Sequence, residues 1–128
     1  MKQIKLELEN EPGELAKIST ELGKVGVNME SLFGKALNEK GILHFVTENP
    51  ETAKETLEGI GYTPEITELM KIKLLDRPGE FGKVTRKLAH NNVNINSVYV
   101  LGEKEGEIEI ALHPENFSKA EKILEKYM

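Results

Sequence analysis

The sequence repeats itself, and no other feature restricts its fold as strongly. Shifted by 66 positions, residues 4–33 lie against 70–99 without a gap. The identical pairs are Lys5/Lys71, Leu8/Leu74, Pro12/Pro78, Gly13/Gly79, Glu14/Glu80, Lys17/Lys83, Leu22/Leu88, Val27/Val93, Asn28/Asn94 and Ser31/Ser97. Average residue usage would give about two identities in a window of this length. Leu6/Ile72, Leu15/Phe81, Ile18/Val84, Met29/Ile95 and Leu32/Val98 are conservative pairs. The chain is therefore a duplication, with the later parts of the two repeats aligning only loosely.

Each repeat reads in the same order. A strand over Gln3–Glu9, or Lys71–Leu75, leads into the turn Asn10-Glu11-Pro12-Gly13, or Asp76-Arg77-Pro78-Gly79. Proline suits the first helical position, where its missing N–H costs nothing, and Glu14 or Glu80 places negative charge at the helix start. Leu15, Ile18, Leu22 and Val25 have helical spacing, as do Phe81, Val84 and Leu88. Gly23 to Gly26, or Asn91-Asn92, close these helices with residues that tolerate the left-handed conformation. A strand over Val27–Leu37 or Val93–Leu101 follows, then a polar turn, Asn38–Gly41 or Gly102–Gly106. The hairpin partner is Ile42–Thr47 or Glu107–Leu112. A second helix is expected over Pro50–Glu58, capped by Asn49, with its counterpart inside Pro114–Lys126. Tyr62–Leu69 reads as a last strand that the second repeat lacks.

The order is βαββαβ followed by βαββα. This is an α+β class, two ferredoxin-like units in tandem, with antiparallel sheets and helices on one face. The boundary falls between residues 1–69 and 70–128. Units of this size are marginal alone, and free strand edges favour a homodimer.

Composition removes whole classes of function. The chain has 128 residues, 17 basic and 22 acidic, for a net charge of -5. That sign, with 5% aromatics and no basic patch, argues against nucleic-acid binding. No apolar run is long enough for a membrane span, and Met1–Glu7 alternates as a strand rather than a signal peptide. There is no cysteine, which excludes disulfides, thiolate metal sites and cysteine nucleophiles and makes the cytoplasm the expected location. Gly79–Thr85 has the wrong spacing for a phosphate loop. His44, His90 and His113 fall on a strand, a helix end and a turn before a helix, without metal-ligand spacing. Ser31 and Ser97 lie mid-strand beside no histidine. No cofactor and no catalytic activity are expected.

One constellation occurs twice. The backbone N–H groups of Gly13, Glu14 and Leu15, and those of Gly79, Glu80 and Phe81, sit at helix starts, where an anion is favoured. Asn28 and Asn94 begin the following strands, and their amides both donate and accept. Such a corner could hold the carboxylate and ammonium of a free amino acid. The same residues would equally serve as a plain turn and a cap, and spacing alone does not separate the two.

Leu8–Leu15 followed by Val25-Gly26-Val27-Asn28-Met29, and Leu74–Phe81 followed by Asn92-Val93-Asn94-Ile95, resemble the ACT domain family. Its pattern is roughly N/D-x-P-G-x-[LF], then G-[VI]-N-I about 14 residues later. The resemblance covers nearly the whole chain and implies a stand-alone tandem ACT protein. Similar proteins bind amino acids at interfaces between ACT units and regulate amino-acid enzymes or transcription. The resemblance implies ligand-binding roles for Asn10, Glu11, Gly13, Glu14, Leu15, Asn28 and Met29, and for Asp76, Arg77, Gly79, Glu80, Phe81, Asn94 and Ile95. It implies an amino-acid ligand, a homodimer and an amino-acid metabolism enzyme as partner. Serine-sensing members carry histidine where this chain has Leu8 and Leu74, so a serine-type pocket is not expected. Asp76 would repel a carboxylate but suit an ammonium, and Asn92 replaces the turn glycine, so the first repeat is the first choice for the site. The alternative is a ligand-free subunit that dimerises or docks onto an enzyme. An acylphosphatase-like enzyme would need an arginine in its loop, and the first repeat has none.

Overall fold

The computed structural model describes all 128 residues and divides into two units, Met1–Glu68 and Leu69–Met128. In the first, the order is β1 (Lys2–Glu9), α1 (Glu14–Lys24), β2 (Ser31–Leu37), β3 (Lys40–Thr47), α2 (Pro50–Gly59) and β4 (Glu65–Glu68). In the second it is β5 (Met70–Leu75), α3 (Glu80–His90), β6 (Ile95–Lys104), β7 (Glu107–Pro114) and α4 (Phe117–Ile123), then a 3₁₀ turn over Glu125–Tyr127. Both sheets are antiparallel, ordered β2-β3-β1-β4 and β5-β7-β6. The second sheet is the first without its edge strand. This is the α+β, ferredoxin-like arrangement read from the repeat.

Alternation decides which strand face packs. Ile4 and Leu6 of β1 and Leu43 and Phe45 of β3 face α1 and α2, and form one core with Ile18, Leu22, Ala53 and Leu57. Met70, Ile72 and Leu74 of β5 join Ile110, Leu112, Val84, Leu88 and Leu124 in the other. Burying each such side chain contributes about 1.5–3 kcal/mol. On the opposite strand faces Gln3, Val46 and Ala111 are buried as well.

The helix ends explain the turn residues. Gly26 has φ +74 and Asn92 φ +57. The N–H of Val27 bonds the carbonyl of Leu22 at 3.0 Å, and that of Val93 bonds Leu88 at 2.9 Å. This is a Schellman closure in both repeats, and asparagine keeps it where glycine is missing. Gly61, at φ +96, closes α2 in the same way through Tyr62 and Leu57.

Several boundaries differ from expectation. Residues 27–30 and 93–94 are not strand, because Val27 and Val93 turn into the cores before pairing begins. The last strand of the first unit is only Glu65–Glu68. His113 lies inside β7, opposite Ser97, not in a turn. Asn49 occupies the cap position of α2, yet its side chain makes no cap bond; its own N–H bonds the Thr47 hydroxyl at 3.1 Å. No helix is long and apolar enough to cross a membrane.

Candidate functional site

Pro12 and Pro78 lie outside their helices. Gly13, with φ 91 and ψ -13, and Gly79, with φ 88 and ψ -11, are the caps. Proline followed by glycine at positive φ, closed by a bond from the Glu14 N–H to the Glu11 carbonyl at 3.3 Å, is a type II turn. Arg77–Glu80 forms the same turn with the same 3.3 Å bond. The Glu14 and Glu80 amides are therefore used inside the turn. Those of Leu15 and Phe81 still point outward from the helix starts.

Side chains fix each corner. In the first unit the Asn10 amide nitrogen donates to the Asn38 carbonyl at 3.0 Å, and the Asn10 N–H to that of Glu39 at 2.9 Å. The turn is thus tied to the β2–β3 hairpin. The Tyr62 hydroxyl donates to Glu14 Oε1 at 3.0 Å, with the Lys17 ammonium 5.4 Å from its ring centre. In the second unit Glu80 Oε1 accepts from Arg77 Nε at 2.8 Å and Lys83 Nζ at 3.1 Å. The Arg77 bond, then that of Lys83, holds the Glu80 carboxyl below its usual range. The Asp76 N–H bonds the Gly106 carbonyl at 2.8 Å. The neighbouring Asp76 carboxylate pushes the Glu103 carboxyl up.

Asn28 and Met29 lie elsewhere. α1 has 11 residues, about 16 Å at 1.5 Å per residue, and Asn28 follows its far end. The corner envisaged from sequence, with Asn28 beside Gly13 in one repeat, is not formed. Asn28 is exposed, while Met29 packs against the core. Asn94 repeats this placement, and its carbonyl accepts from the Glu115 N–H at 2.8 Å. Ile95 packs into the second core.

Each corner opens beside a hollow. In the first unit it is about 180 Å³, with Asn10, Glu11, Glu14 and Leu15 meeting Gly34 and Gly41. In the second it is about 310 Å³, with Asp76, Arg77, Glu80 and Phe81 meeting Val98, Val100 and Ile108. Gly13 and Gly79 shape the turns without lining either hollow. A larger cleft of about 620 Å³ in the first unit runs past Lys17, Tyr62 and Glu65. The strand residues of these hollows were not singled out from the sequence. The signal available was the register, which sets Gly34 against Leu43 and Val100 against Ile110.

Fold and corner together define tandem α+β units with a type II turn feeding a helix. Residues 69–127, in the second unit, match the family model of the ACT domain. The first unit repeats its strand order and turn and adds one strand. No curated protein matches the chain. Among solved structures it is similar to the protein BT0572 from Bacteroides thetaiotaomicron, at 26% identity and a TM-score of 0.88, covering 98% of this chain and 86% of that one. It is also similar to the regulatory subunit of aspartate kinase from Thermus thermophilus in its ligand-free form, at 18% identity and 0.72, covering 98% and 91%. The same subunit from Thermus flavus gives 18% and 0.63, covering 97% and 88%. At that identity the two kinase subunits establish likeness of fold.

Proposed function

We propose that the chain is a non-catalytic regulatory module that binds a free amino acid and signals to an enzyme or regulator of amino-acid metabolism in the cytoplasm. The observation that carries this is the duplicated corner, a glycine-capped helix start beside a hollow and a cluster of charged side chains. The ACT match over the second unit supports it, as do neighbours named as regulatory subunits of aspartate kinase. The ligand carboxylate meets a helix start and its ammonium meets Asp76 or an asparagine amide. Because Asn28 follows the far end of α1, its contribution to such a corner comes from a second copy of the chain, which makes the active form a homodimer. Binding across that interface favours one mutual arrangement of units, and the partner reads the shift.

The test is thermal melting of the full chain against each of the twenty amino acids at millimolar concentration. A ligand that binds only the folded state adds about 2.7 kcal/mol at a hundredfold excess over Kd, a shift of several degrees. Asn28→Ala should weaken affinity with little change in Tm, and unaltered affinity removes Asn28 from the site. A second reading is a ligand-free docking subunit. It is favoured by the large apolar side chains exposed on strands β2 and β6, Leu32, Phe33, Val98 and Val100. No stabilisation by any amino acid, together with co-purification of an enzyme, would select it.

A further inference from the structure

The two corners are equivalent in topology and unlike in chemistry. The strand registers match them residue by residue. Leu43 and Ile110 hold the same place, as do Gly34 and Val100 that pair with them, and Gly41 and Ile108 opposite Leu8 and Leu74. At four places the first repeat has Glu9, Leu15, Gly34 and Gly41, and the second has Leu75, Phe81, Val100 and Ile108. Each change adds apolar surface. The hollow is about 310 Å³ in the second unit and about 180 Å³ in the first. Ligand sites occupy roughly 300–1,000 Å³, so only the second reaches that range.

Resting on the amino-acid reading above, we propose that the hollow beside α3 takes the side chain of an aliphatic or aromatic amino acid, with Asp76 receiving its ammonium and Arg77, in the turn at the helix start, its carboxylate. The walls are Leu75, Phe81, Val98, Val100, Ile108 and Ile110. Leu75, Val98 and Val100 are 47%, 45% and 58% exposed, an apolar surface that a ligand side chain would remove from water. Charges of both signs stand at its mouth. Asp76 and Arg77 both line it, one carrying a carboxylate and the other a guanidinium. An ammonium beside the Asp76 carboxylate gains from the opposite charge. Arg77 bonds Glu80 through Nε, which leaves its terminal nitrogens for a carboxylate. The first corner has neither feature: Asn10 stands in place of Asp76 with its amide bonded to Asn38, and Glu11 in place of Arg77. The preference for the first repeat drawn from the family pattern is thereby reversed.

Calorimetric titration of the full-length protein with L-leucine, L-phenylalanine, L-serine and L-aspartate tests this. Leucine or phenylalanine should bind, and serine and aspartate should not. Isopentylamine and 4-methylpentanoate, each missing one charge of leucine, should bind at least tenfold more weakly. Val100→Gly, which restores the residue of the first repeat, should lower leucine affinity about tenfold. Phe81→Leu, a milder change, should lower phenylalanine affinity in the same direction. Binding of serine or aspartate alone would overturn the apolar pocket and leave the amino-acid reading intact. Binding of none of the four, with no stabilisation by any of the twenty in the melting test, would end both. Leucine affinity unchanged in both variants would place the site elsewhere. A loss of dimer in light scattering of Val100→Gly, with affinity unchanged, would make the hollow an interface between copies and overturn the proposal.

Discussion

Tyr62 donates a 3.0 Å hydrogen bond to Glu14, joining the segment before β4 to the first turn of α1 across 48 residues of chain. The bond closes one wall of the large cleft of the first unit and holds the carboxylate that starts the helix. Burial, then the bond to Glu14, raises the Tyr62 phenol above its usual value. Tyr62→Phe keeps the ring under Lys17 and removes only the bond. It should cost about 1 kcal/mol and lower the Tm by roughly 4–8 °C. An unchanged melt would show that the bond contributes nothing net.

Gly79 has φ 88, and beyond its own chain neighbours nothing lies within 4 Å of where its Cβ would be. The cost of Gly79→Ala is therefore backbone strain alone, about 1–2 kcal/mol for an alanine held in the left-handed region. Gly79→Asn should cost less, because asparagine visits that region more readily. Denaturant midpoints compared at equal slope check the order. Equal stability of the two variants would contradict the turn as described.

The His44 imidazole is held below its ordinary value, first by burial and then by Lys5 directly across β1. Phe33 packs against it with ring centres 6.3 Å apart. The unfolded chain takes up the proton at higher pH than the folded one. Stability from this group is therefore complete above about pH 6.5 and is lost as pH falls below it. His44→Gln should flatten the dependence of Tm on pH between about 7 and 5. If wild type and variant run parallel there, another group dominates.

Burial pushes the Tyr99 phenol up to about 12, from an ordinary value of 10.0. For a raised acid the sign reverses: stability is complete below pH 10 and is lost as pH climbs toward 12. Absorbance titration should show one tyrosine ionising well after the others. Tyr99→Phe should remove that late step and soften the alkaline loss of stability. A single titration near pH 10 in the wild type would contradict the burial of this ring.

The parts of this protein that were legible in the sequence are those set by local period and by the repeat. The alternation in Glu107–Ile110, the 3.6-residue spacing of Ile18 and Leu22, and the left-handed residues at Gly26 and Asn92 each report on a few neighbouring bonds. Copying the pattern at 66 residues gave the strand order of both units. Boundaries failed where pairing rather than propensity ends an element. Val27 and Val93 have strand character but dive into the cores, and only Glu65–Glu68 of the last strand finds a partner on β1. Proline at 12 and 78 suits a helix start yet stands in the turn before it, because the turn and the helix start favour the same residues.

The candidate site was legible in its turn and not in its walls. The corner of Asn10–Leu15 and Asp76–Phe81 is continuous in the chain. Asn28 belongs to the same family pattern but lies past the far end of an 11-residue helix. Gly34, Gly41, Val100 and Ile108 reach the same corner only through cross-strand register.

By itself the sequence determined a duplicated α+β chain, its turns and its helix faces, because these depend on residues within a turn or two of each other. The tertiary structure decided which equivalent corner is roomy and apolar, and which charges meet at its mouth. Those properties depend on side chains brought together from three strands and a helix, and no local spacing carries that information.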